Sequence, residues 1–227
     1  MQEAADLRVQ KTREAIQDAF LCLVGEKGFN GVTVHELCVR ARINRSTFYL
    51  HYTDKYDLLD KITREATGKI VRLVSPTTIV GEDGKVRMPF FQAMVLSLFQ
   101  SILEDRTLYK TLLGINGDYG FLQNLEAVVK EKIVREWHTL HRDRDRPPID
   151  EALYINIILS IYVGAILWWI DGDFALTPEE MTTQLTRYMI YGTSLVADFK
   201  PLPGSDCSVF YDTADSLSGK GKKIKNN

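Results

Sequence analysis

The sequence predicts an all-α fold: an N-terminal three-helix head built around a helix-turn-helix, followed by a larger C-terminal helical domain. Three observations carry that prediction. Apolar residues recur at three- and four-residue spacing through nearly every segment, which is the period of a helix with one buried face. Capping residues and Gly or Pro stops punctuate those runs at short intervals in the first third of the chain and at longer ones afterwards. With 227 residues, 45% of them hydrophobic, the chain is also long enough to bury a sizeable core.

Taken in order, Ala15, Ile16, Ala19, Phe20, Leu23 and Val24 give one apolar face to a first helix over 8–26, ended by Gly28. Thr33 and Glu36 fit a capping box, which opens a short second helix to about Arg40. Asn44 is placed to cap a third helix running to about Tyr52, and Thr53 or Asp54 a fourth that starts near Lys55 and passes Ile70. Two prolines, two glycines and a Glu-Asp-Gly-Lys turn make 75–89 a linker loop or small hairpin. Helical spacing resumes over 90–103 and 107–115, breaks at Asn116–Gly120, and returns over 121–141. The charged, double-proline stretch 142–148 is a loop, Asp150 caps an apolar helix over 152–170, and Thr177-Pro178-Glu179-Glu180 opens a last helix to about Phe199. The expected organisation is therefore a head over 1–54, a connecting helix over 55–74, the loop 75–89, a larger helical domain over 90–200, and a disordered tail over 201–227.

Composition narrows the function classes. Lys and Arg total 28 against 30 acidic residues, a net charge of −2, so any polyanion must be met by a local patch rather than by the whole surface. Three cysteines, Cys22, Cys38 and Cys207, lack disulfide or zinc spacing and point to a reducing, cytoplasmic setting, and the acidic N-terminus lacks the apolar core of a secretory signal. The stretch 152–170 carries no charge and is long enough to span a bilayer, but acidic flanks and interior Asn156, Ser160 and Gly164 favour a buried helix in a soluble assembly. No GxSxG, P-loop, HExxH or GxGxxG motif nominates an enzyme, and no cofactor is implied. His138 and His141 stand three apart but have no acidic or sulfur partner at ligand spacing, so they read as a solvated pair at a helix end.

The segment from Thr33 to Leu59 is the most informative. A helix-turn-helix needs a small residue where its helices cross, apolar residues that lock their angle, a tight turn, and a second helix with a polar outer face. Cys38 is the small crossing residue, Leu37, Ala41, Ile43 and Phe48 face inward, and Ala41–Asn44 is the turn. The outward face then shows Arg45, Ser46, Thr47, Tyr49 and His51, which suits the edges of bases. Arg40 and Arg42 complete a local excess: over 28–55 four basic residues stand against two acidic ones.

The order of these parts resembles the TetR-type (tetracycline-repressor-like) bacterial transcriptional regulators: an amphipathic first helix, Gly28-Phe29 with Thr33-Val34, the Ser46-Thr47-Phe48-Tyr49 core, Tyr52, and Lys55 followed by Leu58-Leu59. One departure is Arg42, where the family usually has glycine in the turn. The resemblance implies an operator-binding homodimer, most readily a repressor released by a small apolar or amphipathic effector. On it, Thr47 and Tyr49 fall on contact positions, Arg45 reaches a guanine edge or a phosphate, Thr33, His51, Tyr52 and Lys55 look like phosphate clamps, and Arg42 and Ser46 complete the DNA-binding set. Thr33 has an alternative role as a helix cap, Tyr52 as a packing aromatic, and His51 as a core-facing ring.

A single helix-turn-helix reaches one half-site, so a dimer is expected. The apolar helix and the last helix of two copies are expected to form a four-helix interface with Tyr162, Ala165, Trp168, Trp169 and Tyr188 as contact residues, the alternative being an internal core helix. Phe91, Met94, Phe99, Tyr109, Phe121 and Trp137 line an expected effector pocket between the middle helices, or are plain core. A helical protein-interaction module with a vestigial head is the alternative function.

Overall fold

The computed structural model describes residues 2–81, 86–114, 119–140 and 149–196. Within them the regular structure is helical, apart from a single antiparallel bridge between Val80 and Val86. The helices are α1 (Gln2–Lys27), α2 (Val34–Ala41), α3 (Arg45–His51), α4 (Lys55–Leu73), α5 (Pro76–Ile79), α6 (Met88–Glu104), α7 (Arg106–Leu113), α8 (Tyr119–Leu140), α9 (Glu151–Asp171) and α10 (Pro178–Val196), with a 3-10 turn at Phe29–Gly31. Two compact units result, Met1–Pro178 and one beginning at Glu179. The expected tail over 201–227, the 142–148 loop, His141, Cys207 and the Glu82–Lys85 turn lie outside the described residues.

The head forms where the local signals place it. Thr33 caps α2 by accepting the Glu36 N–H at 3.3 Å, while the Glu36 carboxylate accepts the Thr33 N–H at 3.1 Å, a complete capping box. Asp54 caps α4 by accepting from the amides of Tyr56 and Asp57. Asn44 occupies the N-cap of α3 but makes no side-chain cap bond. The turn keeps the geometry for which glycine is usual. Arg42 lies in the left-handed region at φ 55°, its N–H on the Val39 carbonyl and the next N–H, of Ile43, on the Cys38 carbonyl at 3.0 Å. A side chain there costs about 1–2 kcal/mol, which the paired carbonyls and the packing around the turn offset. Ile16 and Phe20 of α1, Leu37 of α2, Phe48 of α3 and Leu58 of α4 are buried and fix the angle of the reading helix.

The loop expected over 75–89 has structure of its own. Glu136 of α8 accepts from the Thr77 N–H at 2.8 Å and from the hydroxyls of Ser75 and Thr77, which ties α5 down on α8. Lys132, one turn earlier, donates to the Val71 carbonyl at the end of α4. The start of the segment is thus held on α8, because one half-buried carboxylate satisfies its backbone and side-chain donors together, and the bridge between Val80 and Val86 agrees with a small hairpin after it.

α9 packs on α7 and α8. It is long and apolar enough to cross a bilayer, with a mean hydropathy of 2.0 and only 17% of that stretch buried. Ile155, Trp169 and Ile170 turn inward, whereas Leu153, Ile157 and Trp168 are exposed. After it the chain reverses through two left-handed residues, Asp173 and Phe174 at φ 53° and 58°. The Phe174 N–H donates to the Trp169 carbonyl at 2.9 Å, and its ring meets the Trp169 indole edge-on. Within the second unit Met181, Thr182, Leu185 and Thr186 of α10 are buried and Tyr188 is half-buried.

Candidate nucleic-acid interface

α3 is short, and what matters is which of its sides the head leaves uncovered. Phe48 and the following Tyr52 are buried on one side. Helical geometry puts Ser46 and Leu50, one turn apart, on the opposite side, with Tyr49 and Thr47 flanking them. Arg45 and Ser46 are exposed, Tyr49 is 57% exposed and Leu50 82% exposed, while Thr47 is half-buried. No acidic side chain occurs on the helix. The uncovered surface thus offers a guanidinium, two hydroxyls and an aliphatic side chain, groups that match guanine edges, phosphates and thymine methyls.

Leu50 is the residue that sequence reasoning missed. It does not look like a polar contact, yet its position opposite Phe48 on the helical wheel is a signal that the spacing already contained.

Three of the expected phosphate contacts are otherwise engaged. Tyr52 is 2% exposed, its ring against Phe48 at 5.7 Å and its hydroxyl beside Gln17, with burial pushing the phenol up. The packing role therefore replaces the phosphate role. Lys55 donates to the carbonyls of Phe29, Asn30 and Val32 at 3.1, 3.2 and 2.9 Å, and its ammonium sits 4.7 Å from the Phe29 ring centre. An ammonium has three protons and all three are used, so Lys55 pins the Phe29–Val32 turn to the start of α4 instead of facing a phosphate. Thr33 is exposed, but its hydroxyl donates to Glu36 at 2.7 Å while accepting from that residue's amide. The Lys27 ammonium and the Thr33 hydroxyl hold the Glu36 carboxyl down to about 2, so a negative charge already sits at this helix start.

His51 is half-buried. Burial, and then the charges of Arg13 and Lys61, lower its pKa, so it presents a neutral ring. Arg42 is exposed at the turn.

In the larger part of the first unit, Phe91, Phe99, Tyr109 and Phe121 are buried and Met94 and Trp137 half-buried. Phe99 meets Trp169 edge-on at 5.3 Å, and Trp137 lies 4.9 Å from Tyr154. These residues pack as core. The hydroxyls of Thr67, Ser101 and Tyr109 are buried there without hydrogen-bond partners, and burial raises the Tyr109 phenol far above its ordinary value. Of the expected interface residues on α9, Trp168 is 62% exposed, and Tyr162 and Ala165 are half-buried. Trp169 is a correction. At 1% exposure it is core, held between Phe99 and Phe174 with its indole N–H on the Leu176 carbonyl at 2.8 Å.

Sequence-family comparison decides the kinship of this architecture. The family described as bacterial regulatory proteins, tetR family, matches residues 16–62, and a transcriptional regulator C-terminal region of the same family matches 91–191. The chain belongs to the TetR family of bacterial transcriptional regulators. It is 25% identical over 185 residues to the uncharacterized HTH-type transcriptional regulator YxbF of Bacillus subtilis, covering 81% of this chain and 46% of that protein. The chain thus spans about half the length of this curated relative. Solved structures share the fold. A TetR transcriptional regulator of Streptococcus agalactiae superposes with a TM-score of 0.55 at 22% identity, over 82% of this chain and 97% of that one. A tetR-family regulator of Streptomyces coelicolor gives 0.56 at 19% identity, over 92% and 96%.

Proposed function

We propose that the protein is a dimeric, sequence-specific DNA-binding repressor whose α3 enters the major groove of an operator half-site. The observation that carries this reading is the uncovered side of α3, where Arg45, Ser46, Tyr49 and Leu50 stand on a helix locked from behind by Phe48. Arg45 bridges a guanine edge or a phosphate, Tyr49 and Ser46 donate to bases or phosphates, and Leu50 packs on thymine methyls; a good bidentate base contact is worth about 1–3 kcal/mol. Thr47, His51 and Arg42 lie at the rim and meet phosphates. Two half-sites one helical turn apart require two heads, and the exposed Leu153, Ile157 and Trp168 stripe of α9 supports pairing with a second copy.

An effector that releases the DNA acts through α4. Its first residue, Lys55, is bound to the Phe29, Asn30 and Val32 carbonyls of the head, and Lys69 near its end pairs with Asp105 at 2.7 Å and Glu104 at 3.4 Å where α6 meets α7. A small, largely apolar molecule with a hydrogen-bonding group suits the closed aromatic core and its unpartnered Thr67, Ser101 and Tyr109 hydroxyls. A coupling of about 1–3 kcal/mol between the sites weakens operator binding five- to 150-fold.

The test is selection of duplexes from a randomised pool, followed by binding measurements with Tyr49→Ala and Leu50→Ala. Both variants should keep their fold and relax the selected sequence, and uracil in place of thymine should reproduce the loss seen with Leu50→Ala. Unchanged selectivity in both variants refutes the base-reading assignment.

A further inference from the structure

We infer a second DNA-contacting surface in the head: the N-terminal half of α1 and the turn before α3 grip the sugar-phosphate backbone outside the base pairs that α3 reads. This inference rests on the DNA-binding reading above and extends its footprint. A groove of about 340 Å³ opens here, lined by Leu7, Arg8, Lys11, Thr12, Ala15 and Ile43. Leu7, Lys11 and Ala15 follow one another at four-residue spacing and Arg8 and Thr12 run alongside, so one face of α1 supplies every lining residue except Ile43. Ile43 belongs to the turn and is followed by Asn44 and Arg45, which places the groove against the entry to the reading helix.

Charge identifies the occupant. Elsewhere in the head the cations are satisfied: Lys27 by Glu36, Arg40 by Glu26, Lys61 by Asp57, and Lys55 by three carbonyls. Arg8, Lys11, Arg13, Arg42 and Arg45 have no carboxylate partner among the described residues, and four of these five flank the groove or the turn beside it. Among the described residues of the head, these are the cations left without a carboxylate or carbonyl partner. The floor of Leu7, Ala15 and Ile43 is apolar and the rim is Arg8 and Lys11, with Leu7 left open to solvent. That pairing fits a deoxyribose flanked by phosphates, an apolar ring between anions. The family match begins at residue 16, so the segment that supplies the cations lies ahead of the shared head sequence.

The experiment uses the full chain and the duplexes that the wild-type protein recovers from a randomised pool. Each duplex is prepared with long flanks and trimmed to the selected base pairs. Arg8→Ala/Lys11→Ala should bind the long duplex about tenfold more weakly near 0.1 M salt, with a log K against log salt slope shallower by about two units per protomer. On the trimmed duplex the variant should match the wild type, and the sequence it selects should be unchanged. Arg8→Lys/Lys11→Arg should restore the long-duplex affinity. Equal affinities on the long duplex, an equal loss on both lengths, or a changed selected sequence each overturn the inference while leaving the reading helix in place. A wild-type protein that recovers no sequence overturns it together with the reading on which it rests.

Discussion

The reading head and α9 settle the same problem, which side of a helix faces inward, by different means. In the head the side is set locally. Thr33, Glu36 and Asp54 fix where α2 and α4 begin, and the short α3 has room for only one large buried ring, Phe48. α9 is apolar on nearly every side, so its sequence carries no local mark of inside and outside, and tertiary packing decides. The adjacent tryptophans show the result. Trp169 is enclosed by Phe99 and Phe174, while Trp168, one residue earlier and turned about 100° around the helix, stands in the open.

Exchanging either tryptophan breaks that comparison in the sharpest way. Trp169→Ala should lower the unfolding free energy by about 3–5 kcal/mol, the cost of a large aromatic cavity with a lost indole hydrogen bond, as read by urea denaturation. Trp168→Ala should leave the monomer within about 0.5 kcal/mol of wild type but raise the dimer dissociation constant some thirtyfold, the loss of about 2 kcal/mol expected of an interface anchor. Sedimentation measures the second effect. Equal unfolding costs for the two variants would erase the inside-outside distinction on α9.

This contrast also explains what was legible in the sequence. The left-handed Arg42 in the turn is seen only in the fold, whereas helix order and the capping box are local facts, each written within three or four residues of where it acts. The outward side of α3 was legible for the same reason, except that Leu50 was passed over because it is apolar. The engagement of Lys55 was not legible because its partners Phe29, Asn30 and Val32 lie some 23–26 positions earlier in the chain, and only the folded turn brings three carbonyls to one ammonium. Tyr52, for which a packing role stood beside the contact role, and Trp169 were undecided for the same reason: aromatic residues suit a core and an interface equally well, and long-range packing chooses between them.

Lys55→Met sharpens the comparison within the head. Three charge-assisted hydrogen bonds hold the Phe29–Val32 turn on α4, and a hydrogen bond to a charged group is worth about 1.5–3 kcal/mol net. Losing the set should destabilise the head by at least about that much, with the butyl-sized methionine keeping most of the contact to Phe29. DNA affinity should then fall in step with head stability. If stability were unchanged while the salt slope flattened by about one unit, Lys55 would be a phosphate ligand after all.

The smallest expected effect concerns pH and the start of α2. Glu36 is held at about 2, below its ordinary 4.5, by the Lys27 ammonium and the Thr33 hydroxyl. A carboxyl with a depressed folded-state pKa contributes stability that is fully present above the unfolded value and disappears as pH falls toward the folded one. Its share should therefore be intact above about pH 4.5 and lost between there and about 2. Glu36→Gln keeps an oxygen that accepts the Thr33 N–H but removes the charge and its pairing with Lys27. The difference in unfolding free energy between wild type and variant should be constant near neutrality and shrink through that acid window. A difference that stays flat down to pH 2 would mean that the cap is held by hydrogen bonds alone, and that the head owes its local definition to geometry rather than to charge.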